Sequence, residues 1–192
     1  LPLPKHLAHL DIGKLISKEK DVDGFHPDNL YALLSNRDIE NHFISCTPKG
    51  IVTLLNEYQI SLENKRVAII GRSMIVGKPL ACLLTNHNAT VTLCHSKTPN
   101  IKEITKESDI IVSAIGIPQL IDRTYLSDKK NQVIIDVGMN IDELGNTCGD
   151  VHFLKVKDHV LAITPVPGGV GPMTILSLMQ NLLQASKKRL SL

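Results

Sequence analysis

The chain has 192 residues, 21 Lys+Arg against 19 Asp+Glu, and a hydrophobic fraction of 43%. Charge this nearly balanced provides no whole-chain field for nucleic acid or a membrane surface, and no apolar run approaches the roughly 20 residues of a membrane span. With no tryptophan, three tyrosines and three phenylalanines, the composition favours an aliphatic α/β core over an aromatic surface for stacking bases or sugars.

The length allows one large or two small domains. Cys46, Cys82, Cys94 and Cys148 form no C-x-x-C pair and read as reduced thiols of a cytoplasmic or organellar matrix protein. The eight histidines show no ligand spacing, so no metal site is expected. The opening Leu1-Pro-Leu-Pro4, without a methionine, reads as the start of a piece of a longer chain.

In chain order, His6 to Ile16 has the apolar spacing of a short amphipathic helix. Lys20-Asp-Val-Asp-Gly-Phe-His-Pro27 is a polar loop broken by Gly24 and Pro27. Asp21 and Asp23 in it read either as turn formers or as functional carboxylates. Leu30 to Phe43 has little signal. Thr47-Pro48 predicts a helix start, with a hydroxyl N-cap and proline at the first helical position, and the helix should run to about Tyr58.

Val67-Ala-Ile-Ile70 then leads directly into Gly71, with Gly77 after it. This is the pattern of a buried strand, a tight turn and a helix N-terminus, whose free N–H groups and dipole suit a phosphate. The glycine spacing departs from G-x-G-x-x-G, and Ser73 stands in the middle position. Further strands are predicted from 89, 109, 132 and 160, with helices after Pro79 and over 101–107. Strand starts about 20–28 residues apart fit parallel βαβ crossovers. The fold class is therefore α/β, a Rossmann-like doubly wound parallel sheet with its ligand at the carboxyl ends of the strands. Thr164 to Thr174 contains three prolines and three glycines and reads as a rigid loop around a close-fitting ligand. A helix from about Thr174 to Lys188 closes the chain.

Dinucleotide sites that prefer NAD place a carboxylate about 20 residues after the glycine turn. Here Cys94-His-Ser-Lys-Thr98 supplies hydroxyls and a cation instead, and Arg72 lies in the first turn. Guanidinium forks match phosphate oxygens, so the residues favour NADP. Solvated surface roles for Arg72 and Lys97 stay open at this point.

Taken together, Leu1-Pro-Leu-Pro, Lys20-Asp-Val-Asp-Gly-Phe-His-Pro, Cys46-Thr-Pro-Lys-Gly, Gly71-Arg-Ser-x-Ile-Val-Gly-Lys-Pro, Cys94-His-Ser-Lys-Thr, Gly149-Asp-Val and Ile163-Thr-Pro-Val-Pro-Gly-Gly-Val-Gly-Pro-Met-Thr174 closely resemble the bifunctional methylenetetrahydrofolate dehydrogenase/methenyltetrahydrofolate cyclohydrolase family. The resemblance runs the length of the chain. It implies NADP-dependent oxidation of 5,10-methylenetetrahydrofolate, hydrolysis of the methenyl product to 10-formyltetrahydrofolate, and a homodimer.

By the same resemblance, Gly71, Arg72, Ser73, Ser96 and Met139 are cofactor residues. Asp23 holds the pterin ring. Leu1, Pro167, Gly168, Gly169, Val170, Gly171, Pro172, Met173 and Thr174 line the folate cleft. Residues 1–46 would be part of the catalytic domain, 47–60 a linking helix, 61–166 the NADP domain, and 167–192 the cleft loop and returning helix. The family has glycine where this chain has Tyr31. Its catalytic lysine, partner tyrosine and cleft glutamine are expected upstream of Leu1, so that this chain alone would turn over neither substrate. Another α/β dehydrogenase, or a nucleotide-binding module without catalysis, are the rival readings.

Overall fold

The computed structural model describes residues 4–7, 10 and 12–190. Its helices are α1 (Ile12–Leu15), α2 (Pro27–Ser35), α3 (Cys46–Glu57), α4 (Gly77–Asn86), α5 (Ile101–Lys106), α6 (Phe153–Val156) and α7 (Val170–Leu190). The strands are β1 (Arg66–Ile70), β2 (Thr90–Cys94), β3 (Ile110–Ser113), β4 (Val133–Asp136), β5 (Asn140–Ile141), β6 (Thr147–Cys148) and β7 (Ala162–Ile163). Five of them form one sheet in the order β2-β1-β3-β4-β7, with every neighbour parallel. β5 and β6 form a separate antiparallel hairpin. The strand order reverses between β1 and β3, which opens a crevice at their carboxyl ends.

Side chains alternate between the two faces of the sheet, as the strand period demands. Val67, Ile69, Ile110, Val112, Val133 and Ile135 join Ile51, Leu55, Leu80, Leu84 and Val170 in one buried cluster. Ile70, Ile111 and Ile134 join Ile121, Leu126, Val151 and Val156 in the other. Both faces are covered, so the central strands read as continuous apolar runs and the sheet is doubly wound. Burying each such side chain is worth about 1.5–3 kcal/mol.

One buried polar side chain ties α5 to the sheet. Gln132 donates to the carbonyls of Thr105 (2.8 Å) and Ser108 (2.7 Å) and accepts from Ser127 N–H (2.7 Å). That accounts for both functional groups of a fully buried amide.

The amphipathic helix expected over 6–16 is not continuous. Lys5–Leu7 is a 3₁₀ turn, Leu10 lies outside any helix, and only Ile12–Leu15 is α-helical. A helix this short needs a packing face, and Leu10, Leu15 and Ile16 are all exposed. The segment with little sequence signal holds α2. It starts at Pro27 with His26 as N-cap, whose Nδ1 accepts from Asp28 N–H at 3.1 Å. Tyr31 points outward from this helix and is 67% exposed, so the missing glycine does not disturb the fold. α3 begins at Cys46 rather than after Thr47, with Ser45 as its N-cap residue. Thr47 is thereby free to pair elsewhere.

α7 packs along α3. Gly50 is what allows the approach, since a Cβ there would stand 2.7 Å from the Met173 carbonyl oxygen. Alanine in a helix gains about 1 kcal/mol of propensity over glycine, but a clash against backbone cannot be relieved by a rotamer change and overpacking costs about 1–3 kcal/mol. The clash should win. Gly50→Ala is expected to lower stability by about 1–2 kcal/mol, read as a lower urea midpoint with unchanged slope; a stabilised variant would mean that the helices are not in contact here.

Candidate functional site at the carboxyl ends of the strands

β1 ends in Gly71, whose φ of +124° is accessible to glycine and strained for other residues. A side chain at Gly71 would also collide with the Ala114 carbonyl beyond β3, and one at Gly77 would collide with the Gly71 carbonyl. Both glycines thus close the turn onto its neighbours. Ser73, in the position of the middle glycine, accepts through Oγ from Val76 N–H (3.1 Å) and Gly77 N–H (3.5 Å) at the start of α4. Two amides therefore converge on the Ser73 hydroxyl, which caps the start of α4.

Arg72 is exposed and has no hydrogen bond or ion pair among the described residues. The turn after β2 is held by His95, whose N–H donates to Thr98 Oγ1 (3.0 Å) and whose Nδ1 accepts from Lys97 N–H (3.1 Å). Ser96 and Lys97 are left exposed at its tip. No carboxylate occurs between Cys94 and Thr98. This donor set fits a ribose 2′-phosphate better than a 2′-hydroxyl.

Met139 follows β4 and is 71% exposed. Its Cε lies 4.0 Å from where a Cβ of Gly171 would stand. The Pro167–Thr174 segment thus meets the sheet's strand-end loops directly. The Val166–Pro167 peptide is cis, and Pro167 and Gly168 are exposed. The expected loop is shorter than the sequence suggested, because α7 begins at Val170 rather than near Thr174. Val170 itself has its side chain in the core, 4% exposed. Gly171 and Pro172 are exposed in the first turn, where a proline costs no hydrogen bond. Met173 and Thr174 are half-buried against α3, and Thr174 Oγ1 lies 3.0 Å from Thr47 Oγ1. Leu1 lies outside the described residues.

Asp21 and Asp23 stand in different surroundings. Asp21 is buried and accepts from His26 N–H (2.6 Å) and Asn29 Nδ2 (2.8 Å). It is a turn former. Asp23 is exposed and faces Cys46 at the start of α3. Burial first, then the hydrogen bond to Asp23 and its charge, push the Cys46 thiol up to about 12. The thiol stays protonated at neutral pH and is no nucleophile. Behind it, Asn181 is fully buried and donates to the carbonyls of Val22 (2.8 Å) and Ile44 (2.9 Å), while Lys49 Nζ donates to Asn181 Oδ1 (2.8 Å). Burial lowers the Lys49 amine from its ordinary value.

Sequence reasoning did not find the pair of carboxylates under the crevice, Asp136 (3% exposed) and Asp150 (0%). Asp136 accepts from Gly138 N–H (3.0 Å), Asp150 N–H (3.0 Å) and Val151 N–H (2.9 Å). Asp150 accepts from Ser113 Oγ, Asn140 Nδ2 and three successive backbone amides, Ile115 to Ile117, at 2.7–3.1 Å. Gly138 and Gly149 flank the pair reciprocally: a side chain at Gly138 would strike the Asp150 carboxylate, and one at Gly149 the Asp136 carboxylate. The signal was there as Asp-x-Gly followed by Gly-Asp. An open cleft of about 430 Å³ lined by Glu40, Gln180, Leu183, Gln184, Lys187 and Lys188 lies on α7 and includes none of these groups.

A model of the tetrahydrofolate dehydrogenase/cyclohydrolase NAD(P)-binding domain matches residues 45–190. The chain belongs to this family. It is 52% identical over 188 residues to the bifunctional protein FolD of Lachnoclostridium phytofermentans, covering 98% of this chain and 65% of that protein. The crystal structure of FolD from Campylobacter jejuni superposes with a TM-score of 0.93 at 43% identity, over 98% of this chain and 66% of that one. The Trypanosoma brucei dehydrogenase-cyclohydrolase, complexed with NADP and an inhibitor, superposes with a TM-score of 0.87 at 37% identity, over 99% of this chain and 66% of that one. The chain thus spans about two thirds of the length of the FolD proteins it matches.

The buried pair makes a testable statement about pH. Burial, the largest cause, raises the Asp136 carboxyl from 3.8 to about 6 against the lowering effect of its three amides, and the charge of Asp150 adds to the rise. A carboxyl raised in the folded state stabilises the fold fully below its unfolded value, and that contribution is lost as pH rises through its folded value. Between about pH 4 and pH 6.5 the wild type should therefore lose roughly 1–3 kcal/mol relative to Asp136→Asn, measured by urea denaturation at matched ionic strength. Parallel curves would show that Asp136 does not titrate in this window.

Proposed function

We propose that this chain supplies the NADP site and one wall of the folate cleft of an enzyme that oxidises 5,10-methylenetetrahydrofolate to the methenyl form and hydrolyses that to 10-formyltetrahydrofolate. The observation that carries the reading is the approach of Met139, at the end of β4, to Gly171 at the head of α7. It makes the strand-end crevice continuous with the Pro167–Thr174 segment.

On this reading Arg72 and Ser96 hold the 2′-phosphate, and the turn after β1 with the start of α4 faces the pyrophosphate. Bound NADP supplies the hydride acceptor. Asp23 accepts from the amino and ring N–H groups of the pterin, and the backbone of 167–171 fixes the ring plane. Holding the two reactants in register is the chain's main contribution to the oxidation. For the hydrolysis a group must assist water; the protonated Cys46 thiol is unsuited to that, and no residue of this chain is assigned to it. The same reading makes the protein a cytoplasmic homodimer serving one-carbon transfer for purine synthesis. It is supported by four free cysteines and by exposed Ile141 and Leu144 on the β5–β6 hairpin.

Arg72→Ala should weaken NADP binding by roughly 1.5–3 kcal/mol, the worth of a hydrogen bond to a charged group, and NAD binding much less. Calorimetric titration of both cofactors against both proteins decides it, and equal losses would contradict the 2′-phosphate assignment.

Asp23→Asn in the full-length protein should abolish folate binding at concentrations that saturate the wild type while leaving NADP affinity unchanged. The substitution turns an acceptor into a partial donor and leaves cleft groups mispaired. Normal folate affinity in the variant would refute the role of Asp23.

A further inference from the structure

Beyond the last rungs of β3 and β4 the backbone loses its neighbours. Ala114 N–H still reaches Ile70 O (2.8 Å) and Val137 N–H reaches Ser113 O (2.8 Å). From Ile115 onward the ladder stops, and the amides of Ile115, Gly116 and Ile117 all point inward to the Asp150 carboxylate. The Asn140 side chain, at the start of β5, reaches the same carboxylate at 2.9 Å. The outer surfaces of these loops are open: Gly116 is exposed, Ile117 is 46% exposed and Met139 71%.

We propose that Asp150 is a positioning residue for the nicotinamide half of the cofactor, holding the loops after β3 and β4 as one rigid wall from behind. This rests on the NADP reading given above. A dinucleotide with its pyrophosphate at the turn after β1 and its 2′-phosphate at the end of β2 extends its other half across the switch point, over β3 and β4. The wall there must keep its shape without ladder hydrogen bonds. A carboxylate has about four lone-pair sites on two oxygens and no competing donor, whereas an amide has one oxygen and an NH₂ group. Five donors, from the end of β3, the loop after it and the start of β5, therefore require an aspartate and not its isostere. Asp136 secures the arrangement by accepting from Asp150's own N–H. Gly138 and Gly149 leave the space that the two carboxylates fill, since a Cβ at Gly138 would strike Asp150 and one at Gly149 would strike Asp136.

The role differs from general support of the fold, because it acts on one half of the ligand. Adenosine 2′,5′-bisphosphate carries only the groups that Arg72, Ser73 and Ser96 would meet, so its affinity should be indifferent to Asp150. NADPH adds the nicotinamide, and its emission reports the environment of that ring; the protein has no tryptophan to interfere. The experiment compares wild type, Asp150→Asn and Asn140→Ala by calorimetry with adenosine 2′,5′-bisphosphate and by fluorescence titration with NADPH. In Asp150→Asn, bisphosphate affinity should stay within about twofold, while NADPH affinity falls at least fivefold and its emission change on binding falls by at least half.

Asn140→Ala, which removes one of the five donors and leaves the carboxylate in place, should show the same pattern at about two- to threefold. If Asp150→Asn does not fold, that variant decides: a loss confined to NADPH supports the role, and unchanged NADPH binding overturns it. Equal losses of both ligands, or none, would overturn it too. Wild-type binding of the bisphosphate with no emission change for saturating NADPH would overturn the inference and leave the nucleotide site standing. No binding of either ligand by the wild type would remove the NADP reading and this inference with it.

Discussion

A parallel sheet must stop where its ligand begins, and the amides past the last rung must still find acceptors. In this protein two buried carboxylates meet that demand. Asp136 and Asp150 together take eight donor contacts from the ends of β3 and β5 and the loops beyond β3, β4 and β6. Buried amides without partners would each cost about 1–3 kcal/mol, so the loops have one well-satisfied arrangement and poor alternatives. Asp136 bears the cost of the design: its carboxyl is raised by burial despite three amides. The crevice gains a floor that does not depend on bound ligand to hold its shape.

A second constraint joins this crevice to the rest of the chain. α7 lies along α3 only because Gly50 has no side chain, and the pair is pinned by Asn181, which reaches Val22, Ile44 and Lys49 from three separate segments. The head of α7 thereby stays beside Thr47 and Met139. The exposed carboxylate of Asp23 is held one residue from a carbonyl that Asn181 anchors. A change in the α3–α7 packing would move the Pro167–Thr174 segment and Asp23 together.

Much of this was legible in the residues themselves. Strand starts expected at 67, 89, 109 and 132 lie within one residue of those found; β1, β3 and β4 are buried on both faces and appear as unbroken apolar runs, whereas the edge strand β2 alternates in exposure. β7 is harder: only Ala162 and Ile163 pair. α2 was missed because its N-cap is a histidine ring nitrogen rather than a hydroxyl. The start of α7 was placed four residues late, since Val-Gly-Pro reads as loop although a first helical turn tolerates proline. Thr47 looked like a cap and is instead a partner of Thr174. The carboxylate pair could not be read from spacing alone. Its two halves lie 14 residues apart, and their meaning depends on where β4 and the hairpin fold back. Arg72 and Ser96, by contrast, lie in the short turns that follow β1 and β2, and both are exposed.

The central claim is that the nucleotide crevice and the head of α7 form one continuous site meeting at Met139 and Gly171. The chain's four methionines, Met74, Met139, Met173 and Met179, make this measurable by methyl NMR of methionine-labelled protein. On titration with adenosine 2′,5′-bisphosphate, Met74 beside the glycine turn should shift and Met139 should not. On titration with NADP both should shift, and Met179, 56% exposed on α7, should stay still throughout. A Met139 signal unmoved at NADP saturation, with Met74 shifted, would show that the cofactor does not reach the α7 junction and would contradict the account.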